Sequence, residues 1–483
     1  MLRLLLTTAP LLAQTVLAAP GLALRDHGVR HKHITTTVTE TSTATVVQQL
    51  ATTADPVVAV DLFVPEAADL PLPDDEDTEL VEDNSLELRA TTKRNVLYFT
   101  NWGIYGGNFQ PQNITADKVT HLLYSFLDIG SDGTVKTSDS YADLEKHYST
   151  DSWSETGNNA YGCVKQLYIL KKKYRNFKTL LSIGGWTWSY KFAPVAANVS
   201  YRKNFVSSAV KLLADWGFDG IDIDWEYPAS ATEAANYVSL LKELRAALDA
   251  YSTKNKLNYR FIITVATSAG PANYNMMDLA GMNKYIDAWH LMAYDYSGSW
   301  DTLTGQQANV YPSKANPKAT PFNTDQAVTD YMAKGIAASK IILGMPLYGR
   351  SFAKTTGPGK PFSGVGGGSM VGGTTTDGIY LFKDLPRPGD KVVVNTQAIA
   401  AWSYNSTTKE YITYENIATA KQKATYINTK GLGGAMYWEA SGDKTGGLSI
   451  VRNVAAKMGT LDMTQNMLSY PVSVYANIKA GMP

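Results

Sequence analysis

Eight short apolar runs, each followed by a polar or amphipathic stretch, set the narrowest limit on what this chain folds into. They are Val96–Asn101, His121–Phe126, Thr179–Ile183, Gly220–Glu226, Phe261–Thr267, Ala288–Tyr294, Ile341–Pro346 and Gly434–Trp438. Runs of this length suit buried strands, and the stretches between them carry apolar residues at helical spacing. One such stretch is Phe205, Ala209, Leu213 and Trp216, stopped by Gly217; another is Tyr237, Leu241, Leu244, Leu248 and Tyr251, opened by the capping-box pattern Ser230-Ala231-Thr232-Glu233. Strands that alternate with helices build an α/β fold with a parallel sheet, and eight such units suggest a (β/α)8 barrel. Between strands seven and eight, residues 348–416 are rich in Gly and Thr and carry short alternating runs. They read as a small inserted α+β subdomain, raised on one wall of a cleft. The barrel then comprises 95–347 and 417–460, with a C-terminal tail at 461–483.

The fourth run holds four carboxylates in eight residues, Asp219-Gly220-Ile221-Asp222-Ile223-Asp224-Trp225-Glu226. Side chains alternate across a strand, so Asp222, Asp224 and Glu226 share one face and Ile221, Ile223 and Trp225 the other. The apolar face marks a buried strand. Three acids crowded at its C-terminal end cannot all stay ionised, so at least one holds a proton near neutral pH. That is the equipment of an acid catalyst. A barrel's active site lies at the C-terminal ends of its strands. Asn101-Trp102, Ser182 to Trp186, Met292 to Asp295 and Trp438 all fall at such ends.

The chain opens differently. Arg3, the apolar run Leu4 to Val16 and the small-residue site Val16-Leu17-Ala18 read as a secretory signal peptide, 1–18. A Thr-rich run and then a Pro-containing acidic stretch follow, with little apolar surface to bury. They end at Lys93-Arg94, a pair of the kind that kexin-like proteases cut, so 19–94 reads as a removable propeptide. Residues 1–94 hold 7 basic and 14 acidic groups of the 44 of each, leaving 37 and 30 for the rest. The excess of basic groups is modest, and its densest run, Lys171-Lys172-Lys173, reads as a solvated helix face. No nucleic-acid signature and no later membrane-spanning run is present, and the expected product is a secreted monomer. The one cysteine, Cys163, allows no internal disulfide and reads as a packed residue. Sequons stand at Asn113, Asn198 and Asn405.

Two other signals are weak. Gly364-Val365-Gly366-Gly367-Gly368 lacks the strand before it and the Lys-Ser/Thr after it that a phosphate cradle needs. The histidines after residue 94, His121, His147 and His290, show no ligand spacing, so neither a metal nor a cofactor is expected. Aromatics are the stronger clue. All ten tryptophans follow residue 94; Trp216, Trp225 and Trp289 read as core, whereas Trp102, Trp186, Trp188, Trp300 and Trp438 flank strand ends where a sugar polymer would stack.

These motifs together resemble glycoside hydrolase family 18, the chitinases. Asp219-x-x-Asp222-x-Asp224-x-Glu226 is similar to that family's D-x-x-D-x-D-x-E signature, Ser182-Ile183-Gly184-Gly185 to its S-x-G-G motif, Met292-Ala293-Tyr294-Asp295 to its M-x-Y-D motif, and Trp438 to its strand-eight Trp. The segment before strand eight resembles the chitinase insertion domain, and the leader resembles that of secreted fungal chitinases. The resemblance implies hydrolysis of β-1,4-linked N-acetylglucosamine polymers with substrate assistance, the substrate's acetamido carbonyl taking the place of an enzyme nucleophile. It implies Glu226 as acid and base, Asp224 on the acetamido N–H, and Asp222 sharing a proton with Asp224, helped by Tyr98 and Ser182. It implies Tyr294 on the acetyl carbonyl and Met292 lining the acetyl pocket. Trp438 is implied as its floor, Asp295 as a sugar contact, Trp186 and Trp300 as stacking on the leaving-group side, and Arg350 as binding the non-reducing side. Gly185 and Trp102 complete the binding set, and Asp219 is a structural member of the motif. Two alternatives stay open: a chitin-binding, lectin-like barrel, and an endo-β-N-acetylglucosaminidase acting on N-glycans.

Overall fold

Eight parallel strands close on themselves in the computed structural model, which describes residues 92–482. They are β1 (Arg94–Thr100), β2 (His121–Ile129), β3 (Lys178–Gly184), β4 (Gly220–Asp224), β5 (Ile262–Ser268), β6 (Ala288–Met292), β7 (Ile341–Pro346) and β8 (Gly434–Trp438). Each pairs with the next, and β8 pairs with β1, so the barrel has no free edge. The expected strands match in number and order. β4 is two residues shorter than expected, ending at Asp224, so Trp225 and Glu226 leave the sheet.

The helices are α1 (Gly162–Lys173), α2 (Val199–Trp216), α3 (Ala231–Lys254), α4 (Thr324–Ala333), α5 (Ile417–Thr429) and α6 (Ile450–Met458), with shorter turns between. Gly217 ends α2 in a left-handed conformation, φ 71°, which glycine adopts without strain. Ser230 Oγ caps α3 on the Glu233 N–H, while the Glu233 carboxylate reaches back to the Ala229 N–H at 2.9 Å.

The alternation of side chains sorts the core into two shells. Ile221, Ile223 and Trp225 join Leu122, Tyr124, Trp216 and Tyr237 between barrel and helices. Val96, Tyr98, Leu123, Leu180, Ala266, Met292, Ile342 and Met436 fill the barrel's interior. Each buried Leu or Ile contributes about 1.5–3 kcal/mol of transfer free energy, so the apolar face of β4 anchors the strand that carries the acids.

Between β7 and β8 the chain forms a five-stranded antiparallel sheet, in the order Ile379–Leu381, Tyr348–Phe352, Glu410–Tyr414, Ala400–Asn405, Lys391–Asn395. The helical part of this insertion is the 3-10 turn Phe382–Asp384. Gln307, in the long loop after β6, donates to the carbonyls of Tyr348 and Thr413 at 2.8 and 3.1 Å, fastening that loop to the sheet.

The N-terminal end of the barrel is closed by the C-terminal tail. Asn466 donates to the carbonyls of Lys171, in the last turn of α1, and of Tyr174 and Phe177 just beyond it. Tyr470 donates to Phe218 O at 2.8 Å. Lys171 corrects the reading of its run as a solvated face: its side chain is 1% exposed and pairs with Asp219 at 2.8 Å. Cys163 is fully buried, and burial pushes its thiol up to about 12, as befits a packed residue.

The expected signal peptide and residues 19–91 of the expected propeptide lie outside the described residues. Lys93 and Arg94 do not. Arg94 opens β1, paired with Gly434. Lys93 bridges Leu461, and its ammonium donates to Leu432 O at 2.6 Å. Among the described residues, no helix is long and apolar enough to cross a membrane.

Candidate active site

Asp222 lies fully buried on the inner face of β4. Ser182 and Thr264 are its register neighbours on β3 and β5, so the sheet itself brings their hydroxyls to it. Ser182 donates to Oδ2 at 2.8 Å and Tyr98 does so at 3.1 Å; Thr264 donates to Oδ1 at 2.6 Å, where His290 Nδ1 also lies at 3.2 Å. A carboxylate has about four acceptor positions, and these four groups occupy them. Burial pushes the Asp222 carboxyl up, but the hydrogen bond and charge of His290, with Thr264 and Ser182, outweigh it and hold the group below the usual carboxylate range. Burial, with the charges of Asp222 and Asp224 beside it, raises the Tyr98 phenol well above its ordinary value, so Tyr98 remains a donor.

Asp224 ends the strand, and Glu226 follows in the exit turn, 3% and 8% exposed respectively. Ser189 holds this turn. Its hydroxyl accepts the Glu226 N–H at 2.7 Å and lies 3.3 Å from Asp224 O, while Gly185 N donates to the same carbonyl at 2.9 Å. The Tyr227 hydroxyl donates to Glu226 Oε2 at 3.0 Å. The glycines after Ser182 have a steric reason. Both have positive φ, and a Cβ on Gly184 would meet Asp224 O at 2.6 Å, while one on Gly185 would meet the Phe126 ring at 2.6 Å.

The exit of β6 carries the next group. Met292 faces the barrel interior, and the Tyr294 hydroxyl lies 3.8 Å from Met436 Sδ. Asp295 adopts φ 60°, a left-handed conformation uncommon outside glycine. Its Oδ1 accepts from the Tyr348 hydroxyl at 2.5 Å and from Arg350 Nε at 2.6 Å. The Arg350 guanidinium lies 4.6 Å from the centre of the Trp300 ring, within cation–π range. Arg350 and Tyr348 belong to the inserted sheet, so barrel and insertion meet at Asp295.

Aromatic rings line the neighbouring ends of β1, β2 and β8. Trp438 stacks on Phe126, ring centres 5.6 Å apart, and meets Tyr98 edge-on at 5.2 Å; Trp102 lies 6.1 Å from Phe126. Trp188 packs against the barrel's inner cluster, and Trp186 is half-buried in the same loop. Trp216, Trp225 and Trp289 are buried core, as expected.

Asp219 stands apart, at the opposite end of β4. It accepts from the backbone N–H groups of Thr179 and Met467, both at 2.8 Å, and pairs with Lys171. Of the sequons, Asn113 and Asn198 are exposed, and Asn198 caps α2 through Oδ1; Asn405 is half-buried and donates to Asp390.

Sequence reasoning missed Thr264, His290, Phe126, Ser189 and Tyr348. His290 stands two residues before Met292 and therefore on its face of β6; the same alternation places Tyr348 with Arg350. That signal was available. Phe126 and Ser189 gain their roles only from contacts between loops.

The sequence profile of the glycosyl hydrolases family 18 matches residues 94–443. The chain is 52% identical over 388 residues to Endochitinase 1 of Metarhizium robertsii, covering 80% of this chain and 90% of that protein. It is 50% identical over 397 residues to Chitinase 1 of Aphanocladium album, covering 82% and 93%. Among solved structures, the catalytic domain of psychrophilic chitinase B from Arthrobacter TAD20 superposes with a TM-score of 0.69 at 32% identity, over 76% of this chain and 96% of that one.

Proposed function

This chain belongs to the glycosyl hydrolases family 18, and on that premise we propose that it is a chitinase, cleaving β-1,4 linkages of N-acetylglucosamine polymers with retention. The observation that carries the reading is the set Asp222, Asp224 and Glu226 at the C-terminal mouth of the barrel, with Asp222 anchored by donors from four other strands. Relatives named endochitinase and chitinase, about half identical over most of both chains, support the same substrate class here.

Glu226 protonates the leaving glycosidic oxygen. The bond from C1 to that oxygen breaks as the substrate's own acetamido carbonyl oxygen bonds to C1, giving an oxazolinium ion. Glu226, now a carboxylate, takes a proton from water as the water oxygen attacks C1 and the ring opens. Two displacements at one carbon leave the configuration retained. Asp224 accepts the acetamido N–H and offsets the positive charge. With its oxygens occupied by donors, Asp222 is the ionised member of the pair, and the proton it shares with Asp224 resides on Asp224 before substrate arrives. Tyr294 donates to the acetyl carbonyl and holds it near C1, an orientation effect. Met292 lines the acetyl pocket, which Trp438 floors. Asp295 contacts the sugar, and Arg350 exchanges part of its bonding to Asp295 for a sugar hydroxyl on the non-reducing side. Gly185, Trp102, Trp186 and Trp300 complete the binding surface.

The leader supports export of a processed, soluble monomer, with Asn113 and Asn198 as accessible N-glycan acceptors. The test is product release by the purified chain from chitin oligomers and from a high-mannose glycopeptide. Cleavage of the oligomers alone is expected. Cleavage confined to the glycopeptide would favour an N-glycan endoglycosidase, and binding without cleavage would leave a lectin.

A further inference from the structure

Behind the aromatic rings that line the exits of β1, β2 and β8 stands a buried carboxylate, Asp143, that the reaction above does not use. It belongs to a single turn of π-helix, Tyr141–Glu145, in the long loop after β2, a rare geometry found often at functional sites. Asp143 is 1% exposed, and Asn101, at the exit of β1, 2%. Asn101 Nδ2 donates to Asp143 Oδ1 at 3.0 Å and to Ser138 Oγ at 2.9 Å; Ser138 in turn donates to the Phe126 carbonyl at 2.5 Å. Tyr124 donates to the same Oδ1 at 2.5 Å, and Thr137 donates to Oδ2. Asn101 opens the turn Asn101–Ile104 that presents Trp102, and Phe126 is the ring that meets both Trp102, at 6.1 Å, and Trp438, at 5.6 Å. One carboxylate thus ties the backbone under both Trp102 and Phe126 to the loop after β2. A charged acceptor holds such donors about twice as strongly as a neutral one.

We propose that Asp143 is a positioning residue for the sugar-binding shelf: through Asn101 and Ser138 it fixes the Trp102 turn and Phe126, and so sets the affinity for the sugars that lie on them. The inference rests on the chitinase reading. Asp143 touches no substrate and acts through Asn101.

The charge on Asp143 varies near neutral pH. Burial pushes its carboxyl up to about 6, against the hydrogen bonds of Thr137, Tyr124 and Asn101, and the charge of Asp139 adds to the rise. Around it lie Asp139 on its own loop, Tyr105 after β1, Tyr124 on β2 and Cys163 on α1, with Lys146 and Tyr148 near that thiol. Burial, then the Asp143 charge, holds the Tyr124 phenol well above its ordinary value, so it stays a donor. As pH falls through about 6, the acceptor at Asn101 becomes neutral and its hold weakens.

The experiment compares wild type, Asn101→Ala, Asp143→Asn and the double variant on two substrates, N-acetylglucosamine hexamer and a nitrophenyl glycoside of the disaccharide. KM and kcat are measured across pH, with a thermal midpoint for each protein. Asp143→Asn keeps the side chain's shape and removes its charge. The disaccharide glycoside, cleaved at the nitrophenyl bond, reaches one sugar beyond the acetyl pocket, and the hexamer reaches further over the shelf. Above about pH 7, the hexamer KM should be about tenfold higher in Asp143→Asn, with kcat and the disaccharide KM near wild type. The double variant should be no weaker than the poorer single one, because both changes act on one contact. In wild type the ratio of hexamer to disaccharide KM should rise as pH falls through about 6 and meet the flat ratio of Asp143→Asn. Additive effects in the double variant, equal rises on both substrates, or a lowered thermal midpoint with unmoved KM would each overturn the proposal. Should no variant fold, the wild-type series decides alone: a ratio constant from about pH 5 to about pH 7 overturns the proposal, and a rise through that range supports it. An inactive wild type would instead refute the chitinase reading, so the two failures are distinct.

Discussion

The two ends of β4 carry carboxylates of opposite kinds. At the N-terminal end Asp219 meets a lysine ammonium and two backbone N–H groups, and neighbouring acids do likewise: Asp287 pairs with Arg245 at 2.7 Å and Asp462 with Lys178 at 3.5 Å. At the C-terminal end Asp222 meets three hydroxyls and an imidazole, and Glu226 a phenol. A cation within 4 Å fixes an acid's charge and ties elements together. Hydroxyl donors orient an acid without placing a second charge beside it. The same residue type on one strand thus serves as scaffold below and, in the proposed reaction, as machinery above.

The contrast breaks most clearly at Glu226. Glu226→Gln keeps the side chain's size and removes its proton; turnover of chitin oligomers should fall at least ~10²–10⁴-fold with affinity and thermal midpoint nearly unchanged. At the other end, Asp219→Asn leaves the buried Lys171 without its counter-ion. Stability in urea should fall by roughly 3–5 kcal/mol, while KM of the folded enzyme stays near wild type. A large change in KM with intact stability would erase the distinction between the two ends.

Smaller effects sharpen it. Asp222 and Asp287 are both held below the usual carboxylate range. A depressed carboxyl contributes stability that is present above the unfolded value, about 4, and lost as pH falls through the folded value. Acid unfolding should therefore begin below about pH 4, and Asp287→Asn should flatten that limb in a urea–pH series. Last, Lys93 and Arg94 are bonded into the barrel, so a dibasic-specific protease should cut after Arg94 in the denatured chain and leave the folded barrel intact there; intact-mass measurement before and after unfolding checks this.

The machinery was more legible than its supports. Asp222, Asp224, Glu226, Ser182 and Tyr294 sit in motifs whose spacing states which face they share, and the alternation of apolar runs stated the barrel. Lys171 was misread because a lysine run looks the same on a solvated face and over a buried acid 48 residues away in sequence. The tail's hold on α1 depends on Asn466, more than 290 residues downstream of Lys171, which no local pattern discloses. His290 is legible by alternation on the face of Met292, but it meets an acid, Asp222, and so shows none of the spacing of a metal ligand.

The central claim is that the substrate supplies the nucleophile while Glu226 moves the protons. Rates on a fully N-acetylated oligomer and its fully deacetylated counterpart, at equal concentration and pH, test it most directly. The account predicts cleavage of the first and none of the second. Equal rates on both would contradict it and require a nucleophile from the protein.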